Sequence, residues 1–214
     1  MKAVTKAYNA VRAGIIEGRY APAARITEQE ITELAGVSRT PVREALRRLH
    51  AEGLLRFVPN QGAFVNHWSE ADTEDIFELR SMLESFGARR AARNASDEQI
   101  AELRHLAESQ RREAHDRGPG HLERIAELNR RFHQLVQESA GSQRLRIMMG
   151  ALIEAPLVLQ TFREYSNDDL VRSAGHHLEI VQALEARDQD WAASVMRSHV
   201  LAARRVYRLH RRSG

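Results

Sequence analysis

Two groups of side chains in this sequence have the types and spacing of a binding site. The first group is a set of arginines. Arg39, Arg43 and Arg47 recur every four residues, so a helix would carry them on one face. Arginine pairs with guanine O6 and N7 or with a phosphate, which suits a helix lying in the major groove of DNA. The alternative is an ordinary amphipathic helix whose basic face is exposed to solvent.

Histidines form the second group. His133, His177 and His199 each lie in a separate segment with helical hydrophobic spacing, and Asn129 lies one turn before His133. Three imidazoles that converge inside a helical bundle would provide the ligands of a transition-metal site. The chain has no cysteine, so such a site must use histidine together with carboxylate or amide oxygens. A buried histidine with a structural role is the alternative at each position.

The residues around the arginines predict the elements that position them. An apolar pattern over residues 31–35 ends at Gly36, and Ser38 begins a second helix as its N-cap, with Pro41 in the first turn. The apolar residues of this second helix recur at helical spacing: Val42, Ala45, Leu46 and Leu49. Two short helices joined by a glycine-containing turn predict a helix-turn-helix whose second helix contacts DNA.

Strand signals follow this second helix. Gly53 is expected to end the helix, and residues 54–58 and 63–66 predict two short strands around a turn. Before the helix-turn-helix, residues 4–17 predict a helix and residues 19–26 a turn-like connector. Three helices followed by a small hairpin make the winged form of the helix-turn-helix.

The chain from Ser69 onward shows helical periodicity and no strand signal, with a boundary near residues 67–69. Its predicted helices span 69–93, 96–116, 121–139, 142–165, 168–186 and 189–210. Pro156 is expected to kink the fourth helix. The buried face of the first bundle helix is predicted to include Ile76, Leu79, Leu83, Phe86 and Ala91. The predicted fold is mainly α: a winged helix-turn-helix domain over residues 1–68, then an all-α antiparallel helical bundle over residues 69–214.

The distribution of charge agrees with a DNA-binding N-terminal part. Residues up to Trp68 contain ten Lys and Arg against six Asp and Glu, whereas the remainder contains 22 against 23. At 43% hydrophobic and 29% charged residues, the chain has the composition of a soluble globular protein. No apolar run approaches the roughly 18–20 residues of a membrane span, and no signal-peptide core is present. We therefore expect a cytoplasmic protein with no membrane partner.

Most of the chain resembles a known family. The segment GVSRTPVREALRRLHAEGLL followed by NQGAFV resembles the winged helix-turn-helix of the GntR superfamily of bacterial transcription regulators. The bundle resembles the FCD ligand-binding domain of the FadR-type branch, through ELRSMLES, NRRFHQLVQESAGS, HHLEIVQAL and MRSHV. The resemblance implies a homodimer that binds double-stranded DNA at an inverted-repeat operator.

The resemblance also implies which residues contact DNA, because in this family the recognition-helix N-terminus contacts bases and the wing tip enters the minor groove. The matching positions are Ser38, Arg39, Thr40, Arg43 and, at the wing tip, Gly62. Arg47 and Arg48 are either phosphate contacts or solvent-exposed charges. Some relatives have an arginine where this chain has Gln29, so that contact, and with it the operator sequence, can differ here.

A metal site is a further implication, since FadR-type domains often bind a divalent metal through three histidines and one aspartate. His133, His177 and His199 fall on the histidine positions, and Asn129 occupies the aspartate position. An amide oxygen can ligate a metal but is neutral, which disfavours ions that prefer carboxylates. Zn or Ni is therefore the expected divalent transition metal. His176 is expected to be a neighbour of this site and not a ligand.

The same cavity is expected to bind a small organic acid as effector. A carboxylate of the effector would complete the coordination sphere of the metal, and an arginine would pair with it. Arg80 matches the family's arginine on the first bundle helix. The alternative role of Arg80 is a surface ion pair with Glu84 at i+4.

These expectations combine into a ligand-responsive transcription regulator, a repressor of a metabolic operon with no catalytic residues. Effector binding would alter the spacing of the two DNA-binding domains in the dimer. One alternative is a metal-dependent enzyme, but no carboxylate in the sequence is specifically placed as its general base. The other alternative is a direct metal sensor built on the same bundle.

Overall fold

A computed structural model describes residues 2–16, 18–59, 61–66, 70–152 and 164–212 of the chain. Within these residues the structure divides into two compact units, one before and one after residues 67–69. It is mainly α-helical with a small sheet in the first unit, which confirms the predicted fold class. In the described ranges, no helix has the length and apolar character that crossing a bilayer requires.

The first unit contains three helices and three strands. In chain order these are α1 (Ala3–Ile16), β1 (Arg25–Ile26), α2 (Glu28–Ala35), α3 (Arg39–Ala51), β2 (Leu55–Val58) and β3 (Gly62–Val65). The strands form one antiparallel sheet in the order β1-β3-β2, in which Phe64 of β3 lies between Arg25 of β1 and Arg56 of β2. This arrangement is a winged helix-turn-helix.

Strand β1 corrects the prediction that residues 19–26 are a plain connector. Its two residues pair with β3, and the Ile26 side chain is buried in the core of the unit. A strand of two residues is too short for an alternating hydrophobic pattern to reveal it. It is a strand only because it pairs with β3, whose residues lie 37 or more positions later in the chain.

Local sequence chemistry explains the helix-turn-helix. The Thr27 hydroxyl accepts a hydrogen bond from the backbone N–H of Glu30 and caps α2, and Gly36 ends α2 in the left-handed region at φ +60°. Ser38 has the extended backbone of an N-cap before α3, as predicted, but its side chain makes no capping hydrogen bond. At the other end of α3 the C-cap residue is Glu52, so the predicted terminating glycine lies one position beyond it.

Apolar side chains from every element of the first unit form its core. The larger members are Val11, Ile26, Ile31, Val42, Leu46, Leu49, Leu54, Leu55 and Val65. Full burial of one such side chain contributes about 1.5–3 kcal/mol to the free energy of unfolding. Helix α3 is therefore held by its apolar face, and its opposite face is left to solvent.

The described part of the second unit consists of six helices. They are α4 (Glu70–Asn94), α5 (Asp97–Asp116), α6 (His121–Ser139), α7 (Gln143–Leu152), α8 (Asn167–Glu185) and α9 (Gln189–Arg212). Capping boxes begin two of them, formed by Ser96 with Gln99 for α5 and by Ser166 with Asp169 for α8. The predicted cap at Ser69, the kink at Pro156 and residues 153–163 of the predicted fourth helix lie outside the described residues.

Helices α4, α6 and α8 run in one direction, and α5 and α9 run in the opposite direction. Pairs of contacts at successive levels establish this. Between α4 and α6 they are Glu84 with His133 and Arg90 with Ala140, and between α4 and α9 Phe77 with Tyr207 and Arg89 with Asp190. Between α5 and α6 they are Glu102 with Arg131 and Glu113 with Arg124, and between α5 and α8 Arg104 with Glu185 and Gln110 with His177. Glu84, His133 and His177 lie at one level of the bundle. The positions one turn before them on α4, α6 and α8 consequently belong to one layer.

The buried face of α4 differs from the predicted one. Ala91 is buried as predicted and Ile76 and Leu83 are half-buried, but Leu79 and Phe86 are exposed. Polar residues occupy the interior positions instead: Thr73, Arg80, Ser81 and Glu84. The prediction was wrong for Leu79 and Phe86 because periodicity assigns apolar side chains to the interior, whereas α4 has polar side chains there.

Candidate functional site

The exposed face of α3 presents the side chains that the sequence predicted as DNA contacts. Val42, Leu46 and Leu49 fix the helix on the core of the first unit. The exposed positions include Ser38, Arg39, Thr40, Arg43 and Arg47. Because the three arginines follow one another by about one turn, their guanidinium groups can contact base edges and neighbouring phosphates in a major groove.

Arg47 and Arg48 differ in their surroundings. The Arg48 guanidinium lies over the Tyr8 ring, 4.1 Å from its centroid, and its Nε lies 3.0 Å from Oε1 of Glu52. Arg47 has no hydrogen bond or ion pair within the described ranges of the chain. Arg48 thus contributes to the packing of α1 on α3, whereas Arg47 is available to contact a phosphate.

Helix α2 lies beside the residues of α3 that are predicted to contact DNA. Oε1 of Glu28, the first residue of α2, lies 2.7 Å from Nε of Arg43, and the two side chains are 36% and 60% exposed. The next residue, Gln29, donates a hydrogen bond from Nε2 to Oε1 of Glu33 at 3.1 Å. At the position where some relatives have an arginine, this chain therefore has a neutral side chain that bonds within its own helix.

The β2–β3 hairpin is the wing. The backbone N–H of Gln61 donates to the carbonyl of Val58 at 3.0 Å, and Gly62 follows at φ +100°, a conformation that favours glycine. Gly62 is exposed at the start of β3. Arg56 of β2 lies over the Phe64 ring, 5.3 Å from its centroid, and adds a positive charge to this hairpin. A narrow hairpin that carries a positive charge on one strand suits contact with the minor groove.

In the second unit, the three predicted histidines meet inside the bundle. Nε2 of His133 lies 3.2 Å from Nε2 of His199 and 3.3 Å from Nε2 of His177. One nitrogen from each of the three buried rings lies within 4.8 Å of the other two. Nitrogens bound to a tetrahedral zinc ion, with Zn–N bonds of about 2.0–2.1 Å, are about 3.3 Å apart. The spacing of these nitrogens therefore fits a metal ion.

An oxygen atom lies next to the other nitrogen of two of these rings. Oε1 of Gln110 lies 2.5 Å from Nδ1 of His177, and Oε2 of Glu84 lies 2.5 Å from Nδ1 of His133. An oxygen next to Nδ1 favours the tautomer with the proton there, and Nε2 of a neutral ring in this tautomer is a bare lone pair. Two lone pairs 3.3 Å apart repel each other unless a cation or a proton lies between them.

Burial controls the charge of the cluster. Burial, followed by the neighbouring histidines, lowers the pKa of both His177 and His199 well below the ordinary value. For Glu84, burial taken alone raises the pKa, but the charges of Arg80 and His133 outweigh it and hold the pKa below the ordinary value. At neutral pH His177 and His199 therefore offer neutral imidazole nitrogens, and the Glu84 carboxylate nearby is ionised.

Asn129 and Arg80, predicted as the fourth ligand and the effector contact, are both buried. Asn129 lies one turn before His133 on α6, and Arg80 lies one turn before Glu84 on α4. Nε of Arg80 lies 2.8 Å from Oε1 of Glu84. The ion pair that was the alternative for Arg80 thus exists, but it is buried in the bundle and not at the surface.

Sequence reasoning did not assign Gln110 and Ser173 to the site, and it considered Glu84 only as a partner of Arg80. Ser173 lies one turn before His177 on α8, and its buried hydroxyl has no hydrogen-bond partner among the residues described. This spacing is visible in the sequence. Gln110 lies on a separate helix from the histidines, and packing alone brings it to them.

His176 lies at the edge of the cluster. It is half-buried, and its ring centroid is 5.9 Å from that of His199 in an edge-on arrangement. Burial, and then the charge of Arg172, lowers its pKa. The position agrees with the expectation that His176 is a neighbour of the three converging histidines.

Known proteins match both units. Residues 3–65 match the bacterial regulatory proteins of the gntR family, and residues 75–202 match the FCD domain. The HTH-type transcriptional repressor RspR of Escherichia coli K12 is 30% identical over 199 residues, which cover 90% of this chain and 83% of that protein. The probable D-xylose utilization operon transcriptional repressor of Paenarthrobacter nicotinovorans is 34% identical over 189 residues, covering 88% and 81%.

The fold also matches a solved structure. Escherichia coli McbR/YncC superimposes over 100% of both chains with a TM-score of 0.77 at 22% sequence identity, which shows a shared fold. The matched families and the named relatives are transcription regulators and not enzymes, so the metal-dependent enzyme is set aside. The predicted family is confirmed: this chain belongs to the gntR family of bacterial transcription regulators and carries an FCD domain.

Proposed function

We propose that this regulator represses a metabolic operon and responds to a small organic acid bound beside a divalent metal in the helical bundle. The observation that carries the proposal is the convergence of three buried imidazoles, with Nε2 of His133 at 3.2 Å from that of His199 and at 3.3 Å from that of His177. Zn or Ni suits a ligand set of His133, His177 and His199 with the neutral Asn129. Residues 1–68 would be the DNA-binding domain and residues 69–214 the effector domain.

The DNA-binding part of the proposal rests on α3 and the wing. Ser38, Arg39, Thr40 and Arg43 would contact base edges and phosphates in the major groove, and Gly62 would enter the adjacent minor groove. Arg47 would contact a phosphate. Two relatives are named as repressors, one of them of a sugar utilization operon, which supports repression of a metabolic operon. Because its target is bacterial DNA, the protein would act in the cytoplasm.

The effector part rests on the layer one turn from the histidines. Arg80, Asn129 and Ser173 occupy this layer on three parallel helices, and all three are buried. Arg80 brings a guanidinium, Asn129 an amide and Ser173 a hydroxyl, which together suit a carboxylate that also bears a hydroxyl or keto oxygen. With three histidines on the metal, coordination positions remain for an oxygen of this acid. The proposed effector is therefore a small organic acid.

A homodimer is the third part of the proposal. We define the apolar stripe as Leu79, Met82 and Phe86 of α4, which are 45%, 58% and 48% exposed. These residues recur at intervals of three and four, as in helices that pair along a hydrophobic seam. A second copy of α4 offers a matching stripe, and a twofold dimer suits an inverted-repeat operator. We therefore propose the apolar stripe as part of the dimer contact.

The proposed function is tested by titrating the full chain on DNA from the promoter of its own operon, by fluorescence anisotropy at fixed salt. The chain is used as purified with its metal content measured, then after chelation, and then after addition of Zn or Ni. Each form is screened against hydroxy, keto and dicarboxylic acids. We expect operator-specific, salt-sensitive binding that one class of acid changes by about 5–150-fold in the metal-loaded chain.

Three results would contradict separate parts of the proposal. Absence of operator-specific binding would contradict the DNA-binding assignment of α3. Specific binding that no acid alters, with metal present, would contradict the effector assignment. If chelation alone abolishes DNA binding and no acid is needed, the protein is a direct metal sensor, and the organic acid is removed from the proposal.

A further inference from the structure

We infer that Glu84 is a positioning residue of the metal site, which supplies through His133 the negative charge that Asn129 does not provide. This inference rests on the proposed function, because it assumes that the three histidines bind a metal. Glu84 does not reach the metal itself in this role. It acts through a hydrogen bond to the far nitrogen of one ligand ring.

The contacts of Glu84 are divided between its two oxygens. Oε2 lies 2.5 Å from Nδ1 of His133, and Oε1 accepts a hydrogen bond from Nε of Arg80 at 2.8 Å. The side chain is only 2% exposed, so water does not compete for either oxygen. Each oxygen of this buried carboxylate thus lies next to one polar side chain, and one of these two side chains is a proposed metal ligand.

A carboxylate behind an imidazole changes what the imidazole offers to a metal. It keeps the proton on Nδ1, directs Nε2 at the ion and increases the electron density of the ring. Three neutral imidazoles and a neutral amide would leave a divalent cation without a compensating charge inside the bundle. The ionised carboxylate of Glu84, one ring away from the proposed ion, supplies that charge.

Gln110 provides a natural comparison within the same cluster. Its Oε1 holds Nδ1 of His177 at 2.5 Å, as Glu84 holds His133, but an amide has no charge to offer. Glu84 and Gln110 therefore both orient a histidine ring, but only Glu84 carries a negative charge. In Glu84→Gln an amide would lie next to His133, as the Gln110 amide lies next to His177. The substitution removes the charge with little change in shape.

The test measures metal affinity in the full chain, without DNA or effector. Zn and Ni are titrated against a chromophoric chelator into the original chain, Glu84→Gln, and the control Glu185→Gln, whose carboxylate pairs with Arg104 on the exposed surface of the same bundle. We expect about 10–100-fold weaker binding in Glu84→Gln and no change in the control. Adding Asn129→Asp to Glu84→Gln should recover much of the loss, because it places a carboxylate at the fourth ligand position.

The outcomes separate the inference from the proposed function. If the original chain binds neither ion, the metal site itself is refuted. If the original chain binds metal and Glu84→Gln binds it equally tightly, the inference about Glu84 is overturned and the site stands. Loss of affinity that Asn129→Asp does not restore would indicate a merely structural role and would also overturn the inference.

One measurement does not depend on any substitution, which matters if Glu84→Gln fails to fold. Long-range proton–nitrogen NMR of the zinc-loaded chain reports the tautomer of each histidine. We expect the His133 proton on Nδ1, strongly shifted downfield by the carboxylate. A proton on Nε2 of His133, or metal bound at its Nδ1, would overturn the inference.

Discussion

Nε of Arg43 lies 2.7 Å from Oε1 of Glu28, so the first residue of α2 holds the side chain of α3 that is expected to contact a base. On binding, Arg43 must exchange this carboxylate for a guanine edge or a phosphate. Glu28 also brings a negative charge to the surface that is expected to face DNA. The contact is exposed, so its contribution to stability is small, and its effect on DNA selection is the larger expectation.

Glu28→Gln should therefore strengthen binding to arbitrary DNA and reduce the preference for the operator. Removing the carboxylate reduces phosphate repulsion and releases Arg43 from its partner, with an expected gain of about 0.2–1 kcal/mol on a scrambled duplex. Fluorescence anisotropy on operator and scrambled duplexes measures both affinities at the same salt concentration. The control is Glu33→Gln on the same helix, which bonds Gln29 and no arginine. Identical affinities in the two variants would show that the Arg43–Glu28 contact plays no part in selection.

Arg43→Ala and Arg47→Ala should weaken DNA binding in different ways. Arg43→Ala is expected to cost about 1–3 kcal/mol on the operator and to relax its sequence preference, because a base contact is lost. Arg47→Ala should weaken binding to all sequences alike and reduce the salt dependence by about one phosphate contact. Titrations at several salt concentrations distinguish the two patterns. A uniform loss in Arg43→Ala would assign Arg43 to a phosphate instead.

His177→Ala should release the bound metal without preventing DNA binding. Its Nε2 faces that of His133 at 3.3 Å, so the variant removes one of three imidazole ligands from a buried site. Metal content after dialysis and operator affinity are measured on the same preparation. His105→Ala, an exposed histidine on α5, is the matched control. Full metal content retained by His177→Ala would refute its assignment as a ligand.

Substitution of the apolar stripe tests the dimer. Met82→Glu and Phe86→Glu place a charge on each copy of α4, so two copies would carry like charges at the proposed contact. We expect dissociation to monomers by sedimentation velocity, together with weaker operator binding. Leu34→Glu on α2, a comparably exposed leucine in the first unit, is the control and should leave the oligomeric state unchanged. A dimer that persists in both α4 variants would exclude the stripe from the interface.

The metal-free chain should lose stability as the pH falls below about 6.5, the ordinary pKa of histidine. The pKa values of His177 and His199 are lowered in the folded chain, so below this pH the unfolded chain binds more protons and unfolding becomes more favourable. Each histidine contributes a slope of at most about 1.4 kcal/mol per pH unit until its folded pKa is reached. The stabilising contribution of the neutral rings is fully present above pH 6.5.

Urea unfolding of the metal-free chain at several pH values, followed by far-ultraviolet circular dichroism, measures this slope. His177→Gln should reduce it, because one of the two titrating rings is gone, whereas His105→Gln should leave it unchanged. Equal slopes in the original chain and His177→Gln would show that His177 is not protonated on unfolding over this range.

Local sequence signals determined the first unit and most helix boundaries of the second. Thr27, Gly36 and the capping boxes at Ser96 and Ser166 act through neighbours within a few residues, so their effect can be predicted from the sequence. The arginines of α3 were likewise predicted on its exposed face, because the apolar residues of the same helix occupy the opposite, buried face. The two-residue strand β1 escaped prediction because its pairing partner lies far along the chain.

Tertiary structure alone decided how the histidines are supported. Residue types indicated that His133, His177 and His199 could form a metal site, but no local pattern connects Gln110 with His177, 67 positions apart. The pairing of Arg80 with Glu84 was visible as an i,i+4 spacing, yet packing determined that it is buried and touches His133. The same packing turned Leu79 and Phe86 outward. Periodicity records how often apolar residues recur along a helix, whereas burial depends on which other helices surround each face, and the neighbours of α4 bring polar side chains to it.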